Sequence, residues 1–154
     1  AVLCAQAVGA GAHKDCGVIW RVSVLHAFAL GCFFALLAQA GTWFYHLLGY
    51  DTAFANGAGG GVAILNFGLP GQLIYTACIL FLESLSRPGP GLVIMIAANV
   101  VNAGLNWLLI GGEMGLGAEG AAWATTAVRW LIALAAVLLG WLLAVNSKGK
   151  GQAT

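Results

Sequence analysis

Three asparagine side chains stand inside an otherwise apolar stretch of the chain, residues 92–110. They are Asn99, Asn102 and Asn106. On a helix, spacings of three, four and seven residues place them within an arc of about 60°, stacked over about 10 Å of the axis. Amide oxygens can ligate hard cations, and amides also join helices at about 0.6 kcal/mol each. The stripe therefore predicts either an ion site or hydrated cavity, or hydrogen bonds to a neighbouring helix.

A second candidate site surrounds the proline in "NFGLPGQ", residues 66–72. Pro70 has no N–H, and its ring displaces the carbonyl four residues earlier, which belongs to Asn66. A bend here would leave a free carbonyl beside the Asn66 side chain. Bent helices with open carbonyls line ion and substrate sites in transporters, although a simple packing kink explains the same residues.

Arg129 is a charged residue in an apolar setting, between "GAEGAAWATTAV" and the apolar residues 130–145. If its helix begins near Glu119, Arg129 lies about 15 Å along the axis. Its long side chain is expected either to reach the near end of the helix, beside Trp123 and Trp130, or to face the interior.

The sequence contains no recognisable catalytic or metal-binding pattern. The sequence has no HExxH, GxSxG or nucleotide-binding glycine loop. Its three histidines fall at different depths, and its four cysteines form no CxxC pair, so they are expected to pack as small apolar residues. The chain is therefore predicted to be no enzyme and to hold no cofactor and no metal beyond a transient sodium ion.

Composition places the chain in a membrane. Of its 154 residues, 61% are hydrophobic and 7% are charged, and its mean hydropathy is +0.93. Soluble proteins carry roughly 25% charged residues, so lipid is the expected surrounding of most of this surface. No basic patch indicates nucleic acid. The opening residues lack the basic start of a signal peptide, and the chain is expected to be an internal fragment.

Four stretches are long and apolar enough to cross a membrane. Between them lie "GYDTAFANGAGGG", "SLSRPGPG" and "GGEMGLGAEG", all rich in residues that end helices. The predicted fold is an all-α, polytopic membrane helix bundle. Its spans are residues 18–48, 58–82, 92–110 and 121–145.

Charges alternate across these spans and predict their orientation. Lys and Arg occur in the first, third and last connecting regions, whereas the second and fourth carry Asp51, Glu113 and Glu119 with no Lys or Arg. Basic residues remain cytoplasmic. Both ends are therefore predicted to be cytoplasmic, with two hairpins reaching outward.

Several motifs together resemble the multidrug and toxic compound extrusion (MATE) family, in its NorM-like branch. They are "GLPG" at residues 68–71, Glu83 ahead of a Pro-Gly loop, the Asn102/Asn106 pair, a glycine-rich outer loop and the helix start "GAAWAT" at residues 120–125. The opening "AQAVGAGAHKD" is similar to the family's cytoplasmic loop after its second helix. The resemblance covers nearly the whole chain.

The resemblance implies a fold of twelve helices in two lobes, of which residues 1–154 are part of the N-terminal lobe, helices three to six. It also implies a cation site formed by an Asp on the first helix and two residues on the fifth, here Asn102 and Asn106. Some members add a Thr on the sixth helix, for which Thr125 is the match. Asn99 and Asn66 complete the candidate ion and substrate residues, with Pro70 as the kink.

The resemblance further implies an antiporter in the bacterial inner membrane. It would export organic cations and amphipathic compounds in exchange for sodium ions or protons, and its partners would be lipid, substrate and the remaining helices. One alternative is a flippase for a lipid-linked oligosaccharide, which would need several cationic residues in its cavity. Another is a structural membrane subunit, in which the asparagines only join helices.

Overall fold

The computed structural model describes residues 2–111 and 114–150. Within these ranges it describes every side chain except those of His13, Lys14, Thr42 and residues 144–150. These residues form seven α-helices and no strand, as the composition predicts. The helices are α1 (Val2–Gly9), α2 (His13–Ala38), α3 (Gly41–Leu47), α4 (Thr52–Phe67), α5 (Leu69–Ser84), α6 (Gly89–Asn106) and α7 (Gly117–Lys150). A π-helical turn, Trp107–Gly111, continues α6.

Three continuous stretches are long and apolar enough to cross a membrane: Asp15–Leu47, Gly89–Gly111 and Gly117–Leu143. A fourth candidate is the pair α4 and α5, whose axes are bent by 40° at Gly68. The chain is therefore an all-α, polytopic membrane bundle, with three spans or with four when the bent pair counts as one.

The second span begins earlier than the expected residue 58. Helix α4 starts at Thr52 because the Asp51 carboxylate accepts hydrogen bonds from the backbone N–H groups of Ala53 and Phe54, at 2.8 and 3.1 Å. Such an N-cap satisfies donors that the first turn leaves unpaired. The glycines of residues 57–61, predicted as part of a loop, are therefore helical, and Gly59 is buried.

Helix α5 lies at the centre, packed against α2 on one side and α7 on the other, while α6 packs mainly against α7. The core joins apolar residues of these elements, among them Trp20, Ile74, Phe81, Val128 and Ile132. Helices α2 and α5 approach most closely at Gly31, where an added Cβ would collide with the backbone of Pro70.

The outward faces of the bundle are apolar. Large side chains such as Leu36 on α2, Val93 and Val100 on α6 and Leu138 on α7 are more than half exposed. An apolar surface of this extent fits a lipid surrounding. The fold thus leaves two polar regions to explain: one edge of α6, and the break between α4 and α5.

Candidate ion and substrate site

Asn102 and Asn106 form a hydrogen-bonded pair on α6. The Asn106 amide Nδ2 donates to the Asn102 Oδ1 at 2.8 Å, and both residues are half-buried. The remaining oxygen of the pair, Asn106 Oδ1, is buried and has no hydrogen-bond partner among the residues that the structure describes. A buried acceptor without a donor costs about 1–3 kcal/mol, so this oxygen is the atom of the pair that most needs a cation or water.

Asn99 does not take part in this pair, because its side chain makes a hydrogen bond elsewhere. It is exposed, and its Nδ2 donates to the backbone oxygen of Met95 on its own helix at 3.0 Å. Across the described part of the chain, the side-chain hydrogen bonds of all three asparagines stay within α6. These amides therefore do not join α6 to another described helix.

The pair lies at the edge of the face that α6 turns to α7. Ala98 is buried, and Asn102 follows it by four residues, a rotation of about 40° on a helix. The α-helical hydrogen bonding of α6 ends at Asn106, where the π-helical turn begins.

Thr125 lies on α7, half-buried, three residues before Val128 in the core. Its Oγ1 donates to the Ala121 carbonyl of the same helix at 2.9 Å. Among the described residues it makes no side-chain hydrogen bond to Asn102 or Asn106.

Asn66 lies in the last turn of α4, beside the break. It is only 6% exposed, and its Nδ2 is buried without a hydrogen-bond partner in the described part of the chain. Because α4 ends at Phe67 and α5 begins at Leu69, Pro70 stands in the first turn of a new helix. Proline is tolerated there, since its missing N–H would have no partner inside the helix.

The carbonyls that α7 contacts at this break are not the one that the proline rule singles out. Side chains of α7 donate to the oxygens of Ile64, Leu65 and Phe67, and the Leu65 oxygen also accepts from the backbone N–H of Gly68 at 3.0 Å. The Asn66 oxygen, four residues before Pro70, receives none of these side-chain hydrogen bonds. Because α4 ends ahead of Pro70, carbonyls of its last turn lack their α-helical partners.

Three α7 side chains donate to these carbonyls. Thr126 Oγ1 lies 2.8 Å from the Ile64 oxygen, Arg129 Nη1 3.1 Å from the Leu65 oxygen, and Trp130 Nε1 2.9 Å from the Phe67 oxygen. Arg129 therefore contacts the last turn of α4 through its hydrogen bond. It is directed at the backbone of α4.

Thr126 and Trp130 are not among the site residues that the sequence predicts. Thr126, Arg129 and Trp130 are spaced by three and four residues, which places them on one face of α7. This is the same signal that singled out the asparagines of α6. Two of the three residues are common in apolar helices, which is why the pattern is easily overlooked.

The chain is similar to proteins of a known family. Residues 1–108 match the family model MatE. A "Probable multidrug resistance protein NorM" of Caulobacter vibrioides is 41% identical over 138 residues, which are 87% of this chain and 29% of that protein. Proteins of the same name from two Neisseria meningitidis strains are 30% identical over 135 residues, 85% of this chain.

The chain thus spans 29% of the length of these curated relatives. No solved structure matches it. The family match covers more than half of the chain. The chain belongs to the MatE family and is a multi-pass membrane protein.

Proposed function

We propose that the chain is part of a secondary active multidrug antiporter of the bacterial inner membrane. The protein would export organic cations and amphipathic compounds in exchange for sodium ions or protons. The family and the name of the Caulobacter vibrioides relative support multidrug transport. Asn102 and Asn106 would hold or hydrate the coupling ion, and further helices of the two-lobe fold would complete the site.

The observation that carries the ion site is the unpartnered oxygen of Asn106. Its Nδ2 already donates to Asn102, so the free atom of this amide is an acceptor. A sodium ion, a protonated group or an ordered water molecule would satisfy it. If the amides served only to join helices, one of them should bond to α7 or another element. The bonds within α6 favour the ion site.

The flippase alternative draws no support from the one arginine inside the bundle. A pyrophosphate carrier needs several cationic side chains directed into its cavity. Arg129 instead donates to the Leu65 backbone oxygen. A coupling ion would give the Asn106 oxygen the partner that it lacks among the described residues, which favours a transporter over a purely structural subunit.

Transport by the purified, full-length gene product in proteoliposomes tests the proposal. Ethidium should move against its gradient when an opposing sodium or proton gradient is imposed, and movement should stop when an ionophore collapses that gradient. Empty liposomes are the control. Ethidium movement that is absent under both gradients would contradict the antiporter, and labelled oligosaccharide lipid crossing the same membranes would favour the flippase.

A further inference from the structure

The break between α4 and α5 is held from outside by a set of α7 side chains that we name the α7 clasp: Thr126, Arg129 and Trp130. Each donates one hydrogen bond to a different backbone oxygen in the last turn of α4, those of Ile64, Leu65 and Phe67. We propose that the α7 clasp positions the break. It would fix the angle between α4 and α5 and thereby the place of the Asn66 amide, and its release would let α4 move.

The first support is chemical complementarity. A helix end leaves carbonyls unpaired, and such groups are costly where lipid replaces water. The α7 clasp offers a hydroxyl, a guanidinium and an indole N–H, which all donate. The indole group can only donate, because it has no acceptor atom of its own. Three donors on one helix face thus meet three backbone oxygens in the last turn of α4, of which the Leu65 oxygen also accepts from the Gly68 N–H.

The second support is the position of the charge. Arg129 lies 12 residues after the start of the apolar stretch Gly117–Leu143 and 14 before its end, at its middle. The described acidic residue on the same helix, Glu119, is about 15 Å away along the axis, and Asp51 caps the far end of α4. A cation at this depth is rare and normally paired or functional. Here its described partner is the carbonyl of Leu65.

The third support is the close approach of backbones at the break. A Cβ added to Gly68 would lie 2.7 Å from the Arg129 Cδ, and one added to Gly71 would lie 3.0 Å from the Arg129 carbonyl oxygen. Glycine at both positions lets α7 lie directly against the break. This close approach lets the Arg129 side chain extend across Gly68 to the Leu65 oxygen.

The contacts of α4 show what would move. Helix α4 packs on α3 and α7, less on α2 and only slightly on α5, whereas α5 is packed between α2 and α7. With the α7 clasp closed, α4 belongs to the α5–α7 body. With it open, only the smaller contacts with α2 and α5 oppose a swing of α4 and α3 about Gly68. Arg129 is then a positioning residue that acts on Asn66 through the α4 backbone, whether or not the protein exports drugs.

Spin-label distances test this inference in the full-length gene product in lipid nanodiscs, without substrate. Labels are placed at Asn56 on α4 and Glu119 on α7, both exposed, after replacement of the native cysteines. Arg129→Met keeps an unbranched, flexible side chain, shorter than that of arginine, and removes the donors, and the width of the distance distribution should at least double. Arg129→Lys keeps a donor and should retain most of the narrow distribution.

Two adjacent threonines supply a matched control. Thr126 bonds to α4, and Thr125 bonds to its own helix. Thr126→Val should broaden the distribution and Thr125→Val should leave it unchanged, which also decides the question if Arg129→Met does not fold. Equal, narrow distributions for Thr126→Val, Thr125→Val and the wild type would overturn the inference, even if the protein transports ethidium.

Discussion

At the scale of single residues, the proposed ion site depends most on the side-chain oxygen of Asn106. The spacing of Asn102 and Asn106 predicts that they share a helix edge, and the structure places them there in direct contact. The spacing could not predict the direction of their hydrogen bond, nor that Asn99 would turn to its own backbone. Both depend on side-chain torsions, which a helical period leaves open.

Replacing Asn106 by aspartate tests its role as an ion ligand. Asn106→Asp is nearly isosteric and exchanges an uncharged amide for a titratable, acidic group. We expect the full-length protein to stay folded and to transport with a changed dependence on pH or sodium, since a carboxylate binds a proton or a cation more strongly than an amide does. Ethidium efflux across pH and sodium, normalised to membrane expression, measures this. An ion dependence equal to that of the wild type would leave Asn106 as a packing residue.

At the scale of helices, glycine and proline decide how the bundle fits together. The sequence predicts the disturbance at Pro70, but it does not show that Gly31 of α2 lies against that proline. Contacts between residues so far apart in the chain leave no local pattern. For the same reason the sequence does not reveal the contacts of Thr126 and Trp130, because their acceptors lie more than 60 residues away.

The close contact at Gly31 predicts a clear difference between two glycine substitutions. Gly31→Ala would drive a methyl group into the Pro70 backbone and should lower stability by about 1–3 kcal/mol. Gly104→Ala on α6 meets nothing within 4 Å and should be neutral or stabilising by up to about 1 kcal/mol. Thermal unfolding of the full-length protein in detergent compares them. Equal melting temperatures would contradict the packing of α2 on α5.

At the scale of the whole molecule, composition alone predicts an all-α membrane bundle, and the structure and the family confirm it. The limits of the spans were harder to predict. Glycines usually end helices, yet α4 runs through several of them because Asp51 caps its start. How the bundle is oriented in the membrane remains a prediction from the alternation of basic and acidic loops.

Cysteine labelling on intact cells tests that orientation. In a cysteine-free background, single cysteines at Asp51 and at Gly115, in the loop before α7, should react with an impermeant thiol reagent. A cysteine at Arg87 should react only after the cells are made permeable. Labelling of position 87 alone on intact cells would mean that the topology is inverted.

The most direct test of the central claim compares gradient-driven efflux in two asparagine variants of the full-length protein. The double variant Asn102→Leu/Asn106→Leu removes the amide pair, and Asn99→Leu removes an exposed amide that bonds only to its own helix. With equal membrane expression, we predict that the double variant no longer responds to an imposed sodium or proton gradient, while Asn99→Leu responds as the wild type does. A double variant whose ethidium efflux keeps the wild-type response to both gradients would contradict the assignment of the coupling ion to Asn102 and Asn106.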